Sequence, residues 1–256
     1  MKTRMKLTAL AVMIAASSPL AAQEEDARPW SLKTEAGASL FFGASSQTAV
    51  LFRTEYGYES DRWEVTLNGG FDYAETERDD GIAFVSGRAW TSALEVDYDA
   101  GRWQPFAFVN GDGSLQRQLD LRLQTGLGVG YDFLKTETAT FDLSTAALVE
   151  RIDPRVPAGE PDDVQTLGRL SVRARGSKKL SGERIDLAFT SFYRPSFEAF
   201  GDDYIVSFEG TAAFKLTDDV SLGFSLINIF DSLAESRGAR SNNDGRLLFS
   251  IITTLD

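Results

Sequence analysis

The 256-residue chain contains no histidine and no cysteine. Without histidine it lacks the commonest general base, the serine–histidine dyad and the usual zinc or copper ligand. Without cysteine it has no disulfide framework, no thiolate chemistry and no cysteine-based metal site. Long apolar runs are missing as well. Beyond the N-terminus nothing approaches the roughly 18 residues that a membrane helix needs. Proline is scarce at 7 residues, so extended segments meet few breaks. Basic residues are outnumbered, 26 against 38 acidic, and the net charge of −12 offers no basic face to phosphate. Nucleic acid is therefore excluded as a partner. These absences argue against an enzyme, and no catalytic residue, cofactor or metal ligand is expected.

What is present begins with a leader. Lys2, Arg4 and Lys6 precede an apolar run over 7–16, then Ser17-Ser18-Pro19 and Leu20-Ala21-Ala22. This pattern predicts a secretory signal over 1–22, cleaved between Ala22 and Gln23. Its removal takes the net charge from −12 to −15. Residues 23–29 form a short acidic lead-in on the periplasmic side, and 30–256 form one domain.

The plainest pattern lies in residues 121–149. Leu121, Leu123, Thr125, Leu127, Val129, Tyr131 and Phe133 alternate with Arg122, Gln124, Gly126, Gly128, Gly130 and Asp132. After Lys135-Thr136-Glu137-Thr138 the alternation resumes, with Phe141, Leu143, Thr145, Ala147 and Val149 against Asp142, Ser144 and Glu150. A period of two held this long describes a two-faced hairpin. Its strands exceed the usual five or six residues of a soluble sandwich and suit a membrane barrel.

Twelve such segments can be placed, near 30–42, 48–58, 62–74, 82–98, 103–110, 121–133, 141–150, 166–176, 184–194, 203–215, 220–230 and 245–255. Two are irregular. In the fifth, Trp103, Ala107 and Val109 compete with Phe106 and Phe108 for the apolar face. In the eleventh, Asn228 falls among the apolar positions while Ile227 and Ile229 fall opposite, as a bulge or the end of the embedded part would produce. Short links alternate with longer ones such as 110–120, 153–165 and 231–244, the arrangement of short periplasmic turns and long external loops. Trp63, Tyr98, Trp103 and Phe133 stand beside the short turns, and Tyr73 and Tyr193 beside the longer links, as two interface girdles would. The fold expected is an antiparallel up-and-down transmembrane β-barrel of about twelve strands. Its partners would be outer-membrane lipid and the barrel-assembly machinery, with small solutes or ions if the interior is open.

Several stretches carry a family likeness. Asp61-Arg62-Trp63-Glu64, the strand from Leu121 through Gly130-Tyr131, Leu216-Thr217-Asp218-Asp219 and Phe230-Asp231-Ser232 together resemble the salt-induced outer-membrane protein family, catalogued as domain of unknown function 481. The likeness spans 30–256. It implies a Gram-negative outer-membrane barrel of unsettled role, sometimes linked to salt response, and it supplies no catalytic residues. Such barrels often end in Phe or Tyr, whereas this sequence ends Thr254-Leu255-Asp256. Leu255 keeps the apolar register, so assembly is expected to proceed.

If the apolar faces meet lipid, the opposite faces line a lumen. The basic candidates are Arg53, Arg62, Arg122, Arg169, Arg173, Arg175, Arg184, Arg194 and Lys215. The acidic ones are Glu55, Glu64, Asp72, Glu95, Asp97, Asp132, Asp142, Glu150, Asp186 and Glu209. Two readings follow. Opposite charges pair across the lumen and close it, or the arginines of the eighth strand face acidic strands three and four across a narrow pore. Gly126, Gly128 and Gly130 would leave space inside. The acidic clusters within 153–165 and 201–203 read as solvated loops before they read as calcium sites, since no EF-hand spacing is present.

Overall fold

The computed structural model describes residues 29–41, 46–77, 82–156, 164–182 and 184–255. The signal segment 1–22 and most of the lead-in lie outside them. Twelve strands form one closed antiparallel barrel in which each strand pairs with its sequence neighbours and β1 with β12. They are β1 Trp30–Phe41, β2 Ser46–Glu59, β3 Trp63–Glu77, β4 Ala83–Tyr98, β5 Trp103–Ser114, β6 Leu119–Lys135, β7 Ala139–Pro154, β8 Gln165–Leu180, β9 Ile185–Pro195, β10 Tyr204–Lys215, β11 Val220–Asp231 and β12 Asn243–Leu255.

Alternation dictates the two faces. Phe52, Leu67, Phe71, Leu127, Val149, Leu226, Leu247 and Ile251 point outward and are exposed, Leu127 to 71%. A belt of bare aliphatic and aromatic side chains this broad is costly in water and suits lipid. The ladders run round the whole wall and meet at β1–β12, where residues 32–37 pair with 250–255; closure is how a sheet satisfies its hydrogen bonds in hydrocarbon.

The links sort onto two ends. One end carries the turns 60–62, 99–102, 136–138, 181–184 and 216–219. The other carries the links after β1, β3, β5, β7, β9 and β11. The expected long link at 110–120 is in fact the four-residue turn 115–118, because β5 runs on through Ser114 and β6 begins at Leu119. Gly111 and Gly113 made that stretch look like a loop. They serve instead as floor for Trp90 of the neighbouring β4. A Cβ on Gly113 would lie 2.7 Å from the Asp120 carbonyl and 3.0 Å from Trp90 Cε2, and would collide with the indole Nε1. The length asymmetry therefore rests on the links after β7, β9 and β11.

Two further expectations change. Phe106 and Phe108 face inward, at 7% and 8% exposure, so Trp103, Ala107 and Val109 hold the outer face of β5. The pairing of β11 runs unbroken past Asn228 on both sides, without a bulge. Ile227 and Ile229 simply point inward at the long-link end, on the same face as buried Asp231. Register shifts do occur on β3–β4 at Ala74/Glu75, on β5–β6 at Asp112/Ser114 and on β6–β7 at Leu119/Leu121 and Asp132/Leu134. The last of these leaves Phe133 and Leu134 both exposed.

Candidate functional site

The interior is packed unevenly along its axis. Toward the short-turn end the inward residues Lys33, Glu55, Glu64, Lys179 and Lys215 are exposed to water. Toward the long-link end they are buried: Arg122 4%, Gln124 2%, Glu150 0%, Arg169 1%, Ile205 2% and Asp231 2%. The lumen is thus a vestibule open on the short-turn side and filled on the other.

The filling starts at the waist. Gly126 and Gly128 of β6 leave no empty space; the rings of Phe108 and Phe106 from β5 lie over them. A Cβ on Gly126 would stand 3.0 Å from Phe108, and one on Gly128 would fall inside the Phe106 ring's contact distance. These two rings form a buried cluster with Ala146 and Leu148 of β7. The Arg173 guanidinium sits 5.0 Å from the Phe106 centroid, and that of Arg194 lies 3.9 Å from Phe192. Cations over aromatic faces are held electrostatically without giving up their charge. The cavity that remains beside Phe106, Ser144, Ser171 and Arg194 measures about 30 Å³. That is room for one or two waters.

Above the waist two charge networks close the mouth. In one, Asp112 accepts from Arg117 at 2.8 Å and from Arg122 at 2.9 and 3.1 Å. Arg122 also lies 3.9 Å from Asp231, which pairs with Arg237 of the 232–242 link. Burial in the 115–118 turn lowers the pKa of Arg117, and Asp112 opposes that shift. In the other, Arg169 donates to Glu150 at 2.6 Å, to Asp203 at 2.7 Å, and to the carbonyls of Arg194 and Asp203 at 3.2 Å. Gln124 completes this network by donating to Glu150. Ala234 and Ala239 of the 232–242 link are buried, as are Leu119, Ile152 and Ile205, so the cap is apolar as well as ionic.

Among the described residues, four ion pairs join strands that are not neighbours in the wall. Arg173 of β8 holds Glu95 of β4 at 2.8 Å, with three strands between them. Arg53 of β2 holds Glu209 of β10 at 2.6 Å, again across three strands. The Arg122–Asp231 pair crosses from β6 to β11. Arg246 of β12 also reaches Asp72 of β3 at 2.9 Å while holding Asp244 at 2.8 Å. These contacts run through the lumen rather than along the ladder.

Of the sequence candidates, Arg53, Glu209, Glu95, Arg173, Asp72, Arg122 and Arg169 enter these networks. Arg175 pairs with its neighbour Asp142 at 2.9 Å. Gln104 donates to Asp132 at 3.1 Å. Asp97, Glu64, Glu55 and Asp186 face the vestibule and, among the described residues, make no ion pair across it. Arg184 lies in the exposed turn before β9, and Arg62 in the turn before β3, where it donates to Tyr98 at 2.9 Å. That bond raises the pKa of Arg62. Asp112, Arg117, Asp203, Asp231, Arg237 and Arg246 escaped the sequence reading. Most sit at strand ends or in links, where alternation gives no signal.

The interface aromatics meet in groups. Trp63 packs edge-on to Tyr98 and Trp103 to Tyr131, each with centroids 4.9 Å apart, and Tyr131 meets Phe133 at 4.9 Å. At the long-link end Tyr193 neighbours Phe200 and Tyr204, and Tyr73 donates to Glu75. Among the described residues no group of three or more Asp and Glu is placed to hold a metal ion.

Comparison with known proteins adds the following. The model of the family described as "Protein of unknown function, DUF481" matches residues 34–254. The NanC porin is similar in structure, with a TM-score of 0.50 and 9% identity, covering 88% of this chain and 100% of that one. An outer membrane channel from Pseudomonas putida F1 gives 0.45 and 13%, covering 88% and 94%. At these identities the likeness concerns the barrel alone. No curated protein matches in sequence.

Proposed function

The chain belongs to the DUF481 family, and on that footing we propose that it is a non-enzymatic outer-membrane barrel whose charge-paired lumen is closed on its long-link side. The carrying observation is the set of four ion pairs that join non-adjacent strands through the lumen. A conducting barrel of this width would need that space for water, since open aqueous channels belong to wider barrels of about 16–18 strands. With the short turns in the periplasm, the vestibule opens inward and the capped mouth faces outward. Its partners in this reading are membrane lipid and the barrel-assembly machinery.

Two measurements test this. The purified protein should migrate faster unheated than boiled on a denaturing gel and fractionate with outer membranes; a soluble periplasmic protein without a heat shift contradicts the location. For the vestibule, Glu55→Cys should react quickly with a charged maleimide and Ser171→Cys at least tenfold more slowly. The absence of native cysteine removes any background. Equal rates contradict the closure.

A second reading, a narrow passage for small ions opened by salt, has one observation in its favour. The Arg53–Glu209 pair is the most water-facing of the four, with the Glu209 side chain 47% exposed. Raising salt from 0.1 to 1 M shortens the screening length from about 10 to about 3 Å and weakens such a pair, while buried pairs are screened much less. Discrete openings seen only at high salt, and abolished by lowering it again, would mark this passage.

A further inference from the structure

The wall is not equally closed all round. β1 and β12 pair only over residues 32–37 with 250–255. β1 continues to Phe41 on β2, and β12 continues to Asn243 on β11. Among the described residues no pairing joins 38–41 to 243–249. Six paired residues, at about 3.3 Å rise and about 40° tilt, cover roughly 15 Å of height. The apolar band of such barrels is about 25 Å tall. The seam is therefore unzipped over roughly the 10 Å nearest the long-link end, which leaves ladder groups of two strands facing each other across hydrocarbon.

Behind this opening lies a cavity of about 330 Å³. Its inner wall includes Leu51, Asp72 and Arg246, and its lining extends to Leu247 and Phe249 of the lipid-facing set. The size falls at the lower end of small-ligand sites, about 300–1,000 Å³. The apolar side is continuous with the membrane. The polar side holds Arg246 between two carboxylates, Asp72 and Asp244, so the net charge presented is negative.

Resting on the membrane reading above, we propose that the unzipped β1–β12 seam is a lateral portal, and that the cavity behind it takes a single-chain amphiphile with a neutral or cationic polar head. The chain enters from the lipid while the head meets Asp72, Asp244 and Arg246. Gly37 sits where the zipped part ends; a Cβ there would lie 2.6 Å from the Phe249 carbonyl, so the strands approach as closely as backbone allows before they part.

The test uses the full-length mature protein in phospholipid vesicles that contain a monoacylglycerol carrying a diazirine in its chain. After photolysis, mass spectrometry should find adducts on inward Leu51 and Leu248 as well as on outward Leu247 and Phe249. The pair Ala38→Cys and Phe249→Cys occupies the next register position beyond Gly37 and Ser250. Oxidised, it should cut the inward adducts at least tenfold, and reduction should restore them. Leu51→Trp, which fills the cavity from β2 and leaves the β1 and β12 edges unchanged, should cut the Leu248 adducts in the same way. Adducts confined to outward residues in the unmodified protein overturn the portal. So do crosslinked dimers joined through β1 or β12, which would assign the edge to a second copy. Failure to insert, read by the heat-shift gel, would instead overturn the membrane reading.

Discussion

At the scale of single residues, the lumen is decided by complementary sizes and charges that sit on different strands. Gly126 and Gly128 exist for the rings of Phe108 and Phe106. Gly128→Val should destabilise the barrel by about 1–3 kcal/mol through overpacking. The urea midpoint of tryptophan fluorescence in micelles would show it, and adding Phe106→Ala should recover part of the loss. Arg169 is 1% exposed and Glu150 is 0%. Removing Glu150 alone (Glu150→Leu) should cost about 1–3 kcal/mol, because it leaves the buried Arg169 Nε and the Gln124 amide without an acceptor while Asp203 still holds the guanidinium. The triple change Arg169→Met, Glu150→Leu and Asp203→Asn, which removes all three charges together, should be milder in the same unfolding measurement. Period-two reading identified Arg169 and Glu150 as inward. It could not tell which acid meets which base, since partners such as Asp203 and Asp231 lie in links or at strand ends.

At the scale of elements, the hairpin of β6 and β7 was legible almost whole, because alternation there is unbroken and its turn 136–138 is polar. The stretch before it was legible in outline only. The 110–120 region reads as loop from its glycines, yet it is strand carrying Asp112, and the glycines seat Trp90. The β11 irregularity reads from the sequence as a bulge or as the end of the embedded part; the pairing excludes the bulge, and Ile227 and Ile229 face inward beneath the cap. That cap includes the 232–242 link, tied down by Arg237 on Asp231 and by the buried Ala234. Shortening 233–241 to a glycine–serine link should speed maleimide labelling of Ser171→Cys from the outer side at least tenfold in intact cells. An unchanged rate would mean that the waist, not the link, sets the closure.

At the scale of the whole molecule, the face and the number of strands followed from the absence of helical spans together with a repeated period of two. The sidedness of the interior did not. It depends on ion pairs such as Arg173–Glu95, separated by 78 positions in sequence, and Arg53–Glu209, separated by 156. No local pattern encodes such pairs. The most direct check of a closed, charge-bridged lumen is planar-bilayer recording in 0.1 M KCl, wild type beside Arg53→Ala with Arg173→Ala. The account predicts a silent wild type and discrete openings in the double variant. Steady openings of equal size in both would contradict it.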